Sequence, residues 1–371
     1  MRILHVVGTS RRRGAETFAL ELAAALDARG HDDSLVALGP GPDGGSDPDL
    51  PALTSNHRIR PVATTDAVLR LRRHLDRAVV DVVLAHGAAS ARAAVIARRR
   101  DGPLLVWKRI SPGAWRPVQR RWWRAIARRV DAVVALTPQI KDEMRGLGYS
   151  GPVWVIRNAR HPDRFVTVDR ASEGVRLRRQ IGIADDTPLL GFVGNLSREK
   201  RAERTLDVLA RVLAQDQAAH LVVAGDGPLR AAFEQEVSAR GLEGHVSSLG
   251  HRTDVERLFG GVDLLLLTSD VEGIPGVAIE AQMSGCPVVT FPTGGVREAV
   301  EDGVTGVVLD RPDTALMADE VLRLLRCPER RERLGGDGRR RADAFSTDRV
   351  ADEYSARLDD LYDRRTSRPL R

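Results

Sequence analysis

Apolar residues along this chain cluster in short unbroken runs, separated by longer stretches of mixed polarity. Such runs predict strands buried on both faces of parallel sheets, with helices between them, rather than half-exposed antiparallel strands. They place strands at Ile3 to Val7, Ser34 to Leu38, Val79 to Ala85, Leu104 to Lys108, Ala132 to Leu136 and Val153 to Ile156. A second set falls at Leu189 to Val193, His220 to Ala224, Val246 to Leu249, Asp263 to Thr268, Pro287 to Phe291 and Gly306 to Leu309. Between the sets lies Asn158 to Ala171, polar and irregular, after which the alternation restarts. At roughly 100 to 200 residues per domain the length suits two domains. The expected division is 1–165, 166–345 and a terminal segment 346–371 whose helix begins near Thr347. The expected fold is α/β, with Rossmann-like parallel sheets facing across a cleft.

The segment Glu272-Gly273-Ile274-Pro275-Gly276-Val277-Ala278-Ile279-Glu280 carries candidate chemistry. It follows the buried strand, turns through Gly273 and Ile274, and offers Pro275 for the first helical position, where a missing N–H does no harm. The helix is expected to run through Ala281 and stop at Gly285, with Pro287 barring its extension. Glu272 then sits in a loop and Glu280 on the helix. The unpaired N–H groups at Gly276 and Val277 make an anion site beside the two carboxylates. A ribose and a hexose flanking a diphosphate fit those donors and acceptors. The bland alternative is a loop glutamate and a helix glutamate at accidental spacing.

With Cys286-Pro287-Val288-Val289-Thr290, Pro292-Thr293-Gly294-Gly295, Glu298 and Gly303 to Val308 following in order, this stretch resembles the donor-site signature of the family-4 retaining glycosyltransferases. The resemblance extends from Arg2-Ile3-Leu4-His5-Val6-Val7 through Phe192-Val193-Gly194-Asn195-Leu196 and Ala224 to Leu229 to a last helix ending near Tyr362. It implies the two-domain GT-B architecture, with the last helix packing back toward the first domain. It further implies transfer of a hexosyl unit from a nucleoside diphosphate sugar, with retention, to an acceptor held by the amino-terminal domain. Lys200 matches the family lysine on the donor diphosphate, where charge develops as the glycosidic bond breaks. Glu280 takes the ribose hydroxyls, and Glu272, beside the hexose, is the catalytic candidate. Gly14, in the loop after the first strand, permits close approach of backbone to phosphate. Arg252, after Leu249-Gly250-His251, falls where nucleobase contacts are expected.

The chain departs from the family in places. Asn195 replaces a family arginine, and Arg198 or Arg201 is left to take its part. Trp107-Lys108-Arg109-Ile110-Ser111 lacks the family histidine, so Arg109 stands on the sugar or acceptor side, reaching either an unusual sugar or only the phosphate. The family's Asn-Gly-Val-Asp reads Asn158-Ala159-Arg160-His161 here. A nucleotide-sugar epimerase, or a donor-binding protein without transfer activity, remains the alternative. His5, His86, His161 and His251 read as structural histidines, since no partner base or nucleophile stands beside them.

Composition narrows the rest. Lys and Arg total 57 against 51 acidic residues, a net charge of +6, and nearly all the positive charge is arginine. That excess suits an anionic donor and an anionic membrane surface. The stretch Trp115 to Arg129 is the membrane candidate, with Trp122, Ile126 and Arg129 on one helical face and Trp123 and Ala127 widening it, although burial against the sheet explains its apolar residues equally. No nucleic-acid motif accompanies the charge. Cys286 and Cys327 form no disulfide framework or metal cluster, and no run approaches the roughly 20 apolar residues of a membrane span. The expectation is a cytoplasmic protein, with peripheral contact at the inner membrane face and a lipid-linked acceptor left open. Gly39-Pro40-Gly41-Pro42-Asp43-Gly44 has the letters of a dinucleotide loop but is followed by residues that cannot open a helix. With Asp47-Pro48-Asp49 in that loop, neither a metal nor a cofactor beyond the co-substrate is required.

Overall fold

The computed structural model describes residues 1–10, 14–40, 50–53, 65–110, 117–215 and 218–367. The Gly41 to Pro51 loop reading therefore lies almost wholly outside the described residues, as do Ser111, Trp115 and Arg116. Internal contacts divide the chain into one unit of Met1–Arg160 with Thr347–Arg371 and another of His161–Ser346.

Each unit contains a six-stranded sheet. In the first, β1 (Arg2–Thr9), β2 (Asp32–Gly39), β3 (Val82–His86), β4 (Leu104–Arg109), β5 (Ala132–Ala135) and β6 (Val153–Val155) lie in the order β2-β1-β3-β4-β5-β6. In the second, β7 (Leu189–Val193), β8 (His220–Ala224), β9 (Val246–Gly250), β10 (Leu264–Leu267), β11 (Val288–Thr290) and β12 (Gly306–Val308) lie in the order β12-β11-β10-β7-β8-β9. All pairings are parallel. Every predicted strand is present. Val82 to His86, Leu104 to Arg109 and His220 to Ala224 are buried throughout, because helices cover both faces of a parallel sheet. The third strand starts later than expected, since Val79 is 66% exposed.

Strand order locates the sites. In an open α/β sheet, ligands bind beyond the carboxyl ends of the strands where the order reverses. That point lies between β1 and β3 in the first unit and between β7 and β10 in the second. The loops leaving β7 and β10 are those carrying Lys200 and Glu272.

The last helix, Thr347–Thr366, is distant in sequence from the first unit yet packs in its core. Its Val350, Ala351, Tyr354 and Leu358 pack with Phe18, Leu22 and Leu26 of the first helix, Gly14–Asp27. Arg29 fixes the register by pairing with Asp352 at 2.6 Å and Asp348 at 3.3 Å. On the helix Pro117–Ala127 the buried face is Trp123, Ile126 and Ala127, with Trp123 stacked on Trp107 at 5.0 Å. Trp122, expected on that face, is 42% exposed. Of the expected face, the edge at Trp123, Ile126 and Ala127 is buried, with Trp107 on β4 as the stacking surface, and the edge at Trp122 and Arg129 is exposed. No helix among the described residues is long and apolar enough to cross a membrane.

Candidate functional site

Beyond the carboxyl edge of the second sheet, successive loops are tied to one another by hydrogen bonds. Leu196 N–H donates to the Asp226 carbonyl at 3.0 Å, and Leu229 N–H to the Leu196 carbonyl at 3.0 Å. The loops after β7 and β10 share a latch. The buried Thr268 hydroxyl donates to the Lys200 and Arg201 carbonyls at 3.2 and 3.0 Å, while Asp270 N–H reaches the Glu199 carbonyl at 2.8 Å. Arg204 returns the contact, donating to the Thr268 carbonyl at 2.9 Å and pairing with Asp270 at 2.6 Å.

This latch brings Lys200 and Glu272 together. Lys200 Nζ donates to Glu272 Oε1 at 2.7 Å, and the Ser269 hydroxyl donates to the same oxygen at 2.7 Å. The Glu272 side chain is only 8% exposed and that of Lys200 26%. Glu272 is thus held from its own loop and from the neighbouring one. Neither Ser269 nor Thr268 was singled out from the sequence. Their signal was two hydroxyl residues closing an all-leucine strand, where side-chain oxygens would bind loop backbone.

The helix beyond them spans Gly276–Met283. Pro275 is its N-cap, with ψ 112, and not its first residue, so the helix starts one place later than expected, with Ala278 N–H turning back to the Pro275 carbonyl at 3.1 Å. Gly276 and Val277 stay in the first turn, and their own two N–H groups have no carbonyl partner within the helix. Glu280 lies one turn along the same face and is partly exposed. Gly273 accepts from Gly295 N–H at 2.8 Å, which seats the loop after β11 against the loop after β10.

Gly294 makes that seating possible. Its φ is +51, and a Cβ there would lie 1.7 Å from the Glu272 carbonyl oxygen. Gly303 has φ +72 but open space around it, so alanine there meets only the left-handed penalty of about 1 kcal/mol. Gly294→Ala is expected to lower the melting temperature beyond the roughly 2 to 4 °C that such a penalty gives in a unit of this size. It also displaces Glu272, so turnover falls while Gly303→Ala retains it. Equal melting shifts in the two variants would show that strain alone, and not the contact, demands glycine.

The remaining donor-side candidates separate by their partners. Arg198 is exposed and, among the described residues, unpaired. Arg201 sits 3.1 Å from Glu203 and 3.5 Å from Asp270, with φ +51, the single positive φ outside glycine among the described residues. Asn195 rests against the loop after β8, where a Cβ on Gly227 would come 2.8 Å from Asn195 Oδ1. Arg252 grips Asp254 through Nε and Nη2 at 2.8 and 2.5 Å, holding that carboxyl below its ordinary range. His251, read as structural, is exposed.

In the first unit, Gly14 opens the first helix and is exposed. A Cβ there would meet Arg160 Nη2 at an ordinary 3.8 Å. Arg109 is buried and turned toward the helix Pro138–Gly146, pairing with Glu143 at 2.5 Å and contacting Met144 Sδ at 3.5 Å. Burial lowers its pKa, against the opposing pull of Glu143. Lys108 is also buried, donating to Asn158 Oδ1 at 2.9 Å with Nζ over the Phe18 ring.

A buried polar row reaches the β1/β3 edge. His5 Nε2 lies 2.7 Å from Asp33 Oδ1, and His5 Nδ1 lies 3.1 Å from His86 Nε2. A carboxylate accepts, so His5 donates to it, His86 Nε2–H donates to His5, and His86 Nδ1 is left as an open acceptor. No described group bonds that nitrogen, so His86, read as a structural histidine, is satisfied at Nε2 and not at Nδ1. Register explains this: β1 lies between β2 and β3, which aligns the chain of partners but ends it at the strand terminus.

Burial, then the nearby His5 and Lys108, holds the His86 pKa well below its ordinary value. Above about pH 6.5 the ring is neutral whether the chain is folded or unfolded. Below it only the unfolded chain takes up the proton, so stability falls as pH falls, by at most about 1.4 kcal/mol per pH unit. His86→Gln is expected to flatten the decline in melting temperature between pH 7.5 and 5. An unchanged slope would assign the acid sensitivity to other groups.

Residues 12–164 match the family model described as Glycosyltransferase Family 4, and residues 175–341 match that described as Glycosyl transferases group 1. Alpha-D-kanosaminyltransferase of Streptomyces kanamyceticus is 31% identical over 289 residues, covering 72% of this chain and 74% of that protein. A D-inositol 3-phosphate glycosyltransferase of Geodermatophilus obscurus is 35% identical over 211 residues, 52% of this chain and 44% of that protein. The crystal structure of Anabaena Alr3699/HepE in complex with UDP and glucose shares the fold, with a TM-score of 0.79 and 21% identity over 97% of this chain and 100% of that chain.

Proposed function

This chain belongs to the family-4 glycosyltransferases, and on that premise we propose that it moves a hexosyl unit from a nucleoside diphosphate sugar to an acceptor hydroxyl, with retention. The observation carrying this reading is the placement of Lys200 and Glu272 at the two strands flanking the strand-order reversal, 2.7 Å apart. The helix end at Gly276 and Val277 lies one turn from Glu280. Cation and helix end suit a diphosphate, and the carboxylates suit hydroxyls on either side of it.

In this reaction the bond from the anomeric carbon to the phosphate oxygen breaks as a bond to the acceptor oxygen forms on the same face. The acceptor proton passes to the departing phosphate, so no protein base is needed. Lys200 stabilises the charge growing on that phosphate, and exposed, unpaired Arg198 supplies the second cation more readily than the engaged Arg201. A solved structure of similar fold holds UDP and glucose, which supports a nucleotide sugar as donor. Family membership leaves the epimerase and binding-only readings unfavoured.

The setting we propose is glycoconjugate synthesis in the cytoplasm. Exposed Trp122, with Arg92 5.2 Å over its ring and Arg121 and Arg128 exposed in the same segment, suits an anionic membrane face carrying a lipid-linked acceptor. Co-sedimentation with anionic vesicles, lost in Trp122→Ala, tests that contact. The reaction itself is tested by following donor loss, free nucleoside diphosphate and transferred sugar together, with the anomeric configuration of product read by NMR. An inverted product rejects retention, and an isomerised sugar nucleotide formed without acceptor rejects transfer.

A further inference from the structure

The pairing of Lys200 with Glu272 has a cost for any ligand that needs only one of them. Both donors to Glu272 Oε1, Lys200 Nζ and Ser269 Oγ, lie at 2.7 Å, and the carboxylate is nearly buried. The Lys200 backbone is fixed by Thr268, yet its ammonium, at the end of a flexible stem and 26% exposed on the side chain, is able to turn to a phosphate. When it turns, Glu272 keeps Ser269 but loses its counter-charge, and a nearly buried carboxylate without one is unfavourable.

We infer that the Lys200–Glu272 ion pair is a gate that discriminates a sugar nucleotide from the bare nucleoside diphosphate. The inference rests on the donor reading proposed above. A sugar nucleotide gives phosphate to Lys200 and sugar hydroxyls to Glu272, so both ends of the opened pair are satisfied. A bare diphosphate satisfies Lys200 alone and must compete with Glu272 for it. After transfer the sugar is gone, Glu272 reclaims Lys200, and the diphosphate product loses its cation. The same pair thereby favours donor entry and product release.

The test is isothermal titration of the whole protein with UDP, GDP and ADP, using the tightest binder, in wild type, Glu272→Gln, Lys200→Ala and the double variant. Glutamine keeps the shape and the Ser269 bond but removes the charge that holds Lys200. If the closed pair occupies about 70 to 90% of the free protein, E272Q binds the bare diphosphate about three- to tenfold more tightly than wild type. In the Lys200→Ala background the same substitution leaves affinity unchanged, because the effect acts through the lysine. Should E272Q not fold, Glu272→Asp withdraws the carboxylate by one methylene and reads the same contact. Unchanged or weaker diphosphate binding in E272Q, with Lys200→Ala still weakening it, overturns the gate and leaves the donor reading standing. Absence of binding by wild type to all of these nucleotides, and to UDP-glucose, overturns the donor reading as well.

Discussion

Replacing Glu272 with alanine is expected to lower turnover by about 100-fold or more, the scale of removing an electrostatic contact made chiefly in the transition state. The carboxylate is held at one oxygen by Ser269 and Lys200, on the loop that follows β10, so its position does not depend on substrate to order it. Its proposed partner is the reacting sugar, whose charge changes as the bond to phosphate breaks. Glu280 supplies the contrast. It stands one turn into the helix Gly276–Met283, and its proposed partner, the ribose, changes little during reaction. Glu280→Ala should therefore raise the donor's apparent Michaelis constant by about tenfold with turnover nearly kept. Steady-state kinetics with the donor varied at saturating acceptor separate the two. The assignment of the glutamates is reversed if Glu280→Ala loses turnover while Glu272→Ala loses only affinity.

Lys200→Ala is expected to weaken donor use by about 10- to 150-fold, the equivalent of one charge-assisted hydrogen bond worth roughly 1.5 to 3 kcal/mol. The loss should appear in kcat as well as in kcat/KM, because negative charge on the proposed diphosphate leaving group grows toward the transition state. It also leaves Glu272 nearly buried with Ser269 as its remaining described donor, so the melting temperature of the variant must be measured beside its kinetics. Arg198→Ala should cost more than Arg201→Ala, since the first guanidinium is exposed and the second is engaged by Glu203 and Asp270. Unchanged donor kinetics in all three folded variants would remove the diphosphate from this loop.

How much of this was legible in advance differs between framework and site. The central strands were readable because a parallel strand covered on both faces must be apolar along its length, and Leu264 to Leu267 or Val82 to His86 announces that locally. The helix after Pro275 was readable for a similar reason, since caps and breakers act within a turn, although Pro275 caps the helix instead of opening it and the helix starts one residue later. Trp122 and Trp123 were harder. Periodicity marks a stripe on a helix, but which of two adjacent tryptophans turns inward was decided by Trp107 on a separate strand.

The sequence by itself determined the two α/β sheets, the loops that carry Lys200 and Glu272, and the helix that carries Glu280, because local burial pattern and turn chemistry specify those elements. Tertiary structure alone decided what the side chains touch. The reversal of strand order places β7 beside β10, so Lys200 meets a glutamate 72 positions away, with Ser269 as the unforeseen third member. Strand order likewise joins Asp33, His5 and His86 across β2, β1 and β3, and the pairing with Glu143 draws Arg109 into the protein. Such contacts depend on which strands become neighbours, and neighbourhood in a parallel sheet is set by crossover connections that no local period records.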